Sequence, residues 1–481
     1  MSEEEKFPVE VSPVYEGERI RKGDMYVELG GPDIEYKWEL VQAKSMDEVE
    51  DGKVTIVGPD LNQLEEGKSY PYGVLVEVAG AQVEKDLESV IERRIHDFSN
   101  YIEGYMHLNQ RYDIWIRVSK KAFKKGLNSF NWIGKALIRL FKAEMPFIEK
   151  MQVTFYTDPE KVKELHGFAL KVYEARDARA RGLRDEDVDT FYSCVLCQSF
   201  APQHVCIITP NRVSLCGAIN WFDARAAARV DPKGPIIPVP KGECLDPIKG
   251  EYTGANECVE KRSLGANKRF YLYSAFGYPH TSCGCFETIL FYIPEVDGFG
   301  CVDRGFKGPT VNGLPFSTLA TQVGGGIQTE GFLGLGIEYY RSPKFMQADG
   351  GWNRVVWMAS TLKKRVEDAI PPELKDKIAT ENEAKTIEEL EKFLIEKGHP
   401  LAEAIKKKKE AEAVAVEEAK VAAEAVTPAA AAPTAAVPTT GVPVTAAEGV
   451  SIPLGGGIKV ILNGAKIRIG KLTITVEGGK S

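Results

Sequence analysis

Residues 194–216 read CVLCQSFAPQHVCIITPNRVSLC and set four cysteines, Cys194, Cys197, Cys206 and Cys216, at the spacing C-x2-C-x8-C-x9-C. Four thiolates so placed suit a tetrahedral zinc ion or an iron–sulfur cube, since both accept four soft anionic ligands. The intervals exceed those of compact zinc ribbons, and on spacing alone the two stay equally open. Downstream, Cys283-Gly284-Cys285 separates two thiols by a single residue. That is too close for both to ligate one tetrahedral ion comfortably. Two sulfurs with the deprotonated amide nitrogens of Gly284 and Cys285 instead make a planar N2S2 chelate, which favours Ni(II) or Cu(II) over zinc. Glycine in the middle helps, because without a Cβ the backbone can wrap a metal closely. A lone Cys-x-Cys is more often two buried thiols in a strand, a reading that recedes beside a four-cysteine set.

All nine cysteines of the 481-residue chain fall between Cys194 and Cys301. A disulfide framework belongs to small secreted chains, so thiols crowded into one stretch of a large one point to metal or redox chemistry. The start, Met1-Ser-Glu-Glu-Glu-Lys, is acidic and has no apolar run, so no secretory signal is expected. No window approaches the ~18 apolar residues of a membrane span. A cytoplasmic protein is expected. Lys and Arg total 61 against 69 Asp and Glu, a net charge of −8, which gives no footprint for nucleic acid or an anionic membrane. The Gly324-Gly325-Gly326 run fits neither the dinucleotide spacing nor a phosphate loop, and no His-Glu-x-x-His occurs. His204 lies inside the four-cysteine loop, where it is placed to meet a cluster sulfur.

The length suggests about three domains. Strand-like runs at 25–29, 53–57 and 73–78 end on Gly or Pro turn signals, and a helical pattern with Leu87, Val90, Ile91 and Ile95 covers 84–109. A strand at 112–118, a helix at 129–145, a strand at 151–156 and a helix opened by Pro159 follow. The charged stretch 176–189 reads as a solvated connector. Residues 190–360 are rich in Gly, Pro and aromatics, which suits loops that carry ligands. Helical patterns return at 352–369 and 387–397. The expected fold is α+β, with two mixed α/β globular domains followed by an Ala/Pro-rich linker and a C-terminal β-hairpin. Its divisions are an α+β domain at 1–185 with possible CoA or partner binding, a metal-cluster domain at 186–400, a charged helix and linker at 401–450, and a hairpin at 451–481. Asn463-Gly464 between alternating runs is the hairpin signal.

The four-cysteine spacing with Cys-Gly-Cys 89 residues after its first member resembles the acetyl-CoA synthase family, most nearly its shorter archaeal form, the beta subunit of the acetyl-CoA decarbonylase/synthase complex. The likeness covers roughly residues 10–395 and includes Glu16-Gly-Glu-Arg-Ile-Arg-Lys-Gly-Asp-Met-Tyr-Val-Glu28, Gly331-Phe-Leu-Gly, Arg341-Ser-Pro-Lys-Phe and Ala348-Asp-Gly-Gly-Trp. It implies that Cys194, Cys197, Cys206 and Cys216 hold a [4Fe–4S] cluster and that Cys197 also bridges to a proximal nickel. Cys283 and Cys285 would bind that nickel through sulfur, while chelating a distal nickel with the backbone nitrogens of Gly284 and Cys285. Phe200 matches the aromatic residue over the proximal nickel; from sequence alone it reads as core packing. The implied enzyme is a CO-methylating acetyl-CoA synthase of one-carbon metabolism, which joins a methyl group, CO and CoA into acetyl-CoA or runs in reverse. Its implied partners are carbon monoxide dehydrogenase subunits, which supply CO, and a corrinoid iron–sulfur protein, the methyl donor. The sequence as it stands lacks the amino-terminal domain of longer bacterial relatives, which leaves the CO route open. Two other readings remain, an iron–sulfur electron carrier without catalysis and a structural zinc scaffold. Lys120-Lys121, Lys124-Lys125, Lys261-Arg262 and Lys268-Arg269 are candidates for CoA phosphates but read first as solvated surface. Trp115 and Arg117 are candidates for its adenine end.

Overall fold

The computed structural model describes residues 6–425, 450–453 and 459–462. The amino-terminal half is built on two four-stranded sheets. One runs in the order Ser69–Tyr70, Met25–Gly30, Trp115–Ser119, Tyr105–Leu108; the other in the order Lys37–Ala43, Tyr72–Ala79, Lys150–Tyr156, Val54–Val57. The second mixes parallel and antiparallel pairs. In Tyr72–Ala79 the residues Val74, Val76 and Val78 share one face and are fully buried, as a period of two requires.

The helix Glu88–Ser99 packs on the strands Lys37–Ala43 and Tyr105–Leu108 and on the helices Phe130–Glu144 and Trp221–Val230. It is buried on nearly every side, so its charged residues need partners. Arg176 meets Glu88 at 3.0 Å and Glu92 at 2.7 Å, and Arg93 meets Asp97 at 2.8 Å. The helical pattern that reaches 109 in the sequence stops at Ser99. Asn100 ends it: its Nδ2 donates to the carbonyls of His96 and His107, both at 2.8 Å, and its Oδ1 accepts from His107 N–H at 2.9 Å. The chain then turns through Gly104 at φ +76°, where a Cβ would lie 2.2 Å from that of Ala122.

The cysteine-bearing half holds an antiparallel sheet, Cys206–Ile208, Thr190–Cys194, Ile236–Pro240, and a mixed one, Phe332–Leu335, Thr288–Ile293, Gly298–Asp303, Val355–Met358. Val355–Met358 corrects the first part of the helical reading of 352–369, of which Ser360–Arg365 is helical. Four consecutive buried apolar residues carry no periodicity to tell strand from helix, and pairing with Gly298–Asp303 decides. Residues 176–189 are not a solvated connector. Arg176 and Asp185 are buried; Asp185 accepts from Asn211 N–H at 2.8 Å and Thr209 Oγ1 at 2.9 Å, and also from the Tyr273 hydroxyl. One apolar core takes in Val74, Ile91 and Phe155 together with Ile289, Trp357 and Leu390. By contacts the chain divides into two compact units, Met1–Glu412 and Ala413–Ser481. The charged helix is present as Ala402–Ala425. Val450–Pro453 pairs antiparallel with Lys459–Leu462. The Ala/Pro linker, the Asn463-Gly464 turn and the strand after it lie outside the described residues.

Candidate metal centre

Strand alternation decides which face the first cysteines take. Cys194 lies directly opposite Cys206 on one neighbouring strand and Ile236 on the other, so these side chains share a face. Tyr192, Cys194, Cys206, Ile208 and Ile236 enter the main core; Phe191, Ile207 and Val239 enter a second apolar cluster on the opposite face. Cys197 follows in the short turn Leu196–Ser199. Cys216 comes from the turn that Gly217 closes at φ +72°, where the Glu287 carboxylate occupies the place a Cβ would need. Ser214 Oγ sits 3.2 Å from Cys216 Sγ. All four cysteines line one small cavity together with Arg93 and Cys283.

The Cys-Gly-Cys loop leads into Thr288–Ile293 and brings the two sets together. The sulfurs of Cys197, Cys283 and Cys285 lie within 4.8 Å of one another. Cys285 N–H donates to Cys283 Sγ at 3.2 Å, so an amide nitrogen of the expected chelate already faces a thiol. At Gly284 φ is +146°, a conformation that favours glycine, and no protein atom stands within 4 Å of where a Cβ would be. The glycine run that matched no motif backs this loop. Gly326 N–H donates to Ser282 O at 2.8 Å and Gly325 N–H to Cys283 O at 3.3 Å. At Gly326, φ is +78° and a Cβ would meet His204 N at 2.6 Å.

Burial pushes the Cys194 thiol up to about 11 and raises Cys206 as well. Buried thiols of this kind ionise against a cation, and metal binding supplies one as it releases their protons. In the trio, Cys285 is driven well below the ordinary thiol range by hydrogen bonds from Cys197 and Cys283, with His96 and Arg93 adding to the effect. Cys197 is held well above it by donating to Cys283 and Cys285. Arg93 Nη2 reaches Cys197 Sγ at 3.4 Å. Neither Arg93 nor His96 carried a sequence signal, since their role depends on where a buried helix points them. His204 turns instead to Thr281, with Nδ1 3.0 Å from its Oγ1, and burial lowers its imidazole to about 4.

A cavity of about 470 Å³ opens onto Cys283, Gly284 and Cys285. Phe200 is 38% exposed and lines this cavity, so it is no core residue. Trp115 and Arg304 also line it. Arg117 lies over the Trp115 ring at 4.7 Å and is tied to Glu28 at 2.8 Å. The basic pairs stand outside its walls; Lys120, Lys125 and Arg269 are bound to Glu66, Glu103 and Glu251. Of the other cysteines, Cys301 is buried, Cys258 half-buried and Cys244 exposed.

The family model described as "CO dehydrogenase/acetyl-CoA synthase complex beta subunit" matches residues 7–162, and the model for the C-terminal part of the ACS/CODH beta subunit matches 173–406. A curated relative from Archaeoglobus fulgidus, the acetyl-CoA decarbonylase/synthase complex subunit beta, is 60% identical over 84% of this chain and 77% of its own. The subunit beta 2 of Methanosarcina thermophila is 60% identical over 82% of this chain and 84% of its own. A solved structure of the C-terminal domain of an acetyl-coenzyme A synthase alpha subunit is 42% identical over 25% of this chain and 96% of that one, with a TM-score of 0.24. Two family models that tile residues 7–162 and 173–406, and relatives at 60% identity, place the chain in the beta-subunit family of the CO dehydrogenase/acetyl-CoA synthase complex.

Proposed function

We propose that this chain makes or cleaves acetyl-CoA from a methyl group, CO and CoA at a nickel–iron–sulfur centre. The observation that carries the reading is the convergence of the Cys197, Cys283 and Cys285 sulfurs within 4.8 Å, with one set of neighbours in the four-cysteine cavity and the other at the mouth of a substrate-sized cavity. The donor set fits the implied groups. Four thiols around one small cavity suit a [4Fe–4S] cluster held by Cys194, Cys197, Cys206 and Cys216. Two thiols and two amide nitrogens of Cys283-Gly284-Cys285 suit a planar distal nickel, and the three converging sulfurs suit a proximal one. When bound, a nickel held by shared thiolates supplies an electron-rich site with open positions for small carbon ligands.

The chain's own residues do the rest. Arg93, fixed by Asp97 at 2.8 Å, donates to Cys197 Sγ and offsets the charge gathered on the bridging sulfurs. Phe200 walls the cavity beside the Cys-Gly-Cys loop and restricts what approaches it to small groups. The cavity volume of about 470 Å³ lies in the range of small-molecule sites and leaves room for the thiol arm of CoA. The complex in the relatives' names supports carbon monoxide dehydrogenase subunits as partners; the methyl donor, a corrinoid iron–sulfur protein, rests on the resemblance.

Metal analysis of anaerobically purified chain tests this. Two nickel and four iron are expected; iron without nickel would make it an electron carrier, and zinc alone a scaffold. The two nickels should also differ in lability. Releasing the distal ion requires reprotonation of two amide nitrogens, whereas the proximal ion is held by thiolates already shared. Mild chelation is therefore expected to remove about one nickel per chain and all acetyl transfer, with Ni(II) restoring it. Loss of both at one rate would contradict the site.

A further inference from the structure

Arg304 grips the backbone of the Cys-Gly-Cys loop from the cavity side. Its Nη2 donates to the Gly284 carbonyl and, at 2.8 Å, to the Phe286 carbonyl; its Nε donates to Phe286 O at 3.2 Å. The guanidinium carbon lies 5.1 Å from the Phe286 ring and 5.5 Å from the Phe316 ring, whose faces hold it by cation–π attraction. The Gly284 carbonyl belongs to the same peptide unit as the Cys285 nitrogen, one of the two nitrogens the planar chelate requires as anions. We propose that Arg304 is the positioning residue for the distal nickel, and that its charge stabilises the deprotonated Gly284–Cys285 peptide through that carbonyl oxygen.

This role rests on the nickel reading above and on amide resonance. Peptide C–N and C=O bonds share electrons, so a negative charge created at the Cys285 nitrogen is carried largely by the Gly284 oxygen. A guanidinium already bonded to that oxygen then faces a negatively charged acceptor, so a bond from a charged donor to a neutral carbonyl becomes an ion pair and strengthens. The charges balance accordingly. As Ni(II) enters, the two amide protons leave to solvent together with any thiol proton still on Cys283 and Cys285, and two thiolates with two amide anions bring four negative charges against two positive ones. The excess falls on the two carbonyl oxygens and the sulfurs. The other peptide of the chelate, Cys283–Gly284, receives on its oxygen the neutral Gly325 N–H, at 3.3 Å, and among the described residues no charged donor. Arg304 therefore biases the second nitrogen, and the fork of its guanidinium also keeps the Gly284 and Phe286 carbonyls on one side.

The test compares anaerobically assembled holoenzyme with its R304Q and R304K variants. Mild chelation first removes loosely held nickel; a strong chelator is then added, and remaining nickel is followed with time beside iron content and cluster absorption. Glutamine can still donate a hydrogen bond but has no charge; lysine keeps the charge and loses the fork. R304Q is expected to release the tightly held nickel about tenfold faster than wild type with iron unchanged, and R304K to stay within about threefold. Wild-type release from R304Q overturns the proposal, and so does equal loss from both variants, which would make Arg304 a steric clamp. Should R304Q fail to assemble, R304K decides: tenfold faster release from it overturns the charge role. A wild-type chain with no chelator-resistant nickel would sink the nickel reading itself, whatever Arg304 does.

Discussion

Cys285 is where the two sets of ligands part company. It belongs to the Cys-Gly-Cys pair, yet hydrogen bonds from Cys197 of the four-cysteine set and from His96 on the buried helix help hold its thiol well below the ordinary range. Its removal should therefore cost nickel and spare the cube. Cys285→Ser is expected to abolish acetyl transfer and nickel retention while iron content and the iron–sulfur absorption stay at wild-type levels. Disappearance of the chromophore would place Cys285 among the cluster ligands. Spacing marked the four-cysteine set and the Cys-Gly-Cys pair in the sequence, and only the family resemblance brought Cys197 to that pair, where the three sulfurs converge. The supporting residues were not legible. Arg93, His96 and Arg304 each reach the site from a distant segment, and nothing in the local pattern around them differs from any charged residue in a helix or turn.

At the level of elements, His399 shows how a single buried ring ties a helix to a strand. It follows the helix Ile387–Glu396; its Nε2 lies 3.1 Å from the Val355 carbonyl, and its Nδ1 accepts from Leu401 N–H at 3.2 Å. That leaves no acceptor for a second proton, and burial pushes the imidazole down to about 4. The unfolded chain takes up a proton near pH 6.5, and the folded one refuses it until about 4, so this stability is present above 6.5 and is lost as the pH falls through that window. By pH 5 the loss should reach about 2 kcal/mol, read as the difference in chemical unfolding between wild type and His399→Gln across pH 7.5 to 5. Parallel curves for the two would refute the assignment. Elements with a clear period were legible: Pro159–Ala178 begins at its proline and Phe130–Glu144 behind its Ser129 cap. What escaped was set by partners. The strand Lys37–Ala43 is buried along most of its length and has no alternation to mark it, and the charges of 176–189 read as solvated until the glutamates that bury them are known.

Over the whole molecule, every candidate ligand lies in the unit Met1–Glu412. Deleting residues 427–481 is therefore expected to leave nickel and iron content and the melting temperature of the remaining chain within error of the full protein. Metal-free protein from that deletion would show that the tail takes part in assembling the centre. Among the described residues no helix is long and apolar enough to cross a membrane. Continuity of the core between the two halves could not be read from composition, since apolar residues in either half satisfy the same pattern whether they meet or not. The register of the small sheet around Cys194 has one more consequence. Cys194 faces Cys206 only because the strands pair at that step, and a slip of one residue would send the two thiols to opposite faces. Such a chain would still bury hydrophobic surface and still look folded, but it would present at most three cysteines where a four-thiolate cluster needs four. If these thiols hold the proposed cluster, loading of iron proofreads the strand pairing, and colour in the purified protein counts the molecules that paired correctly.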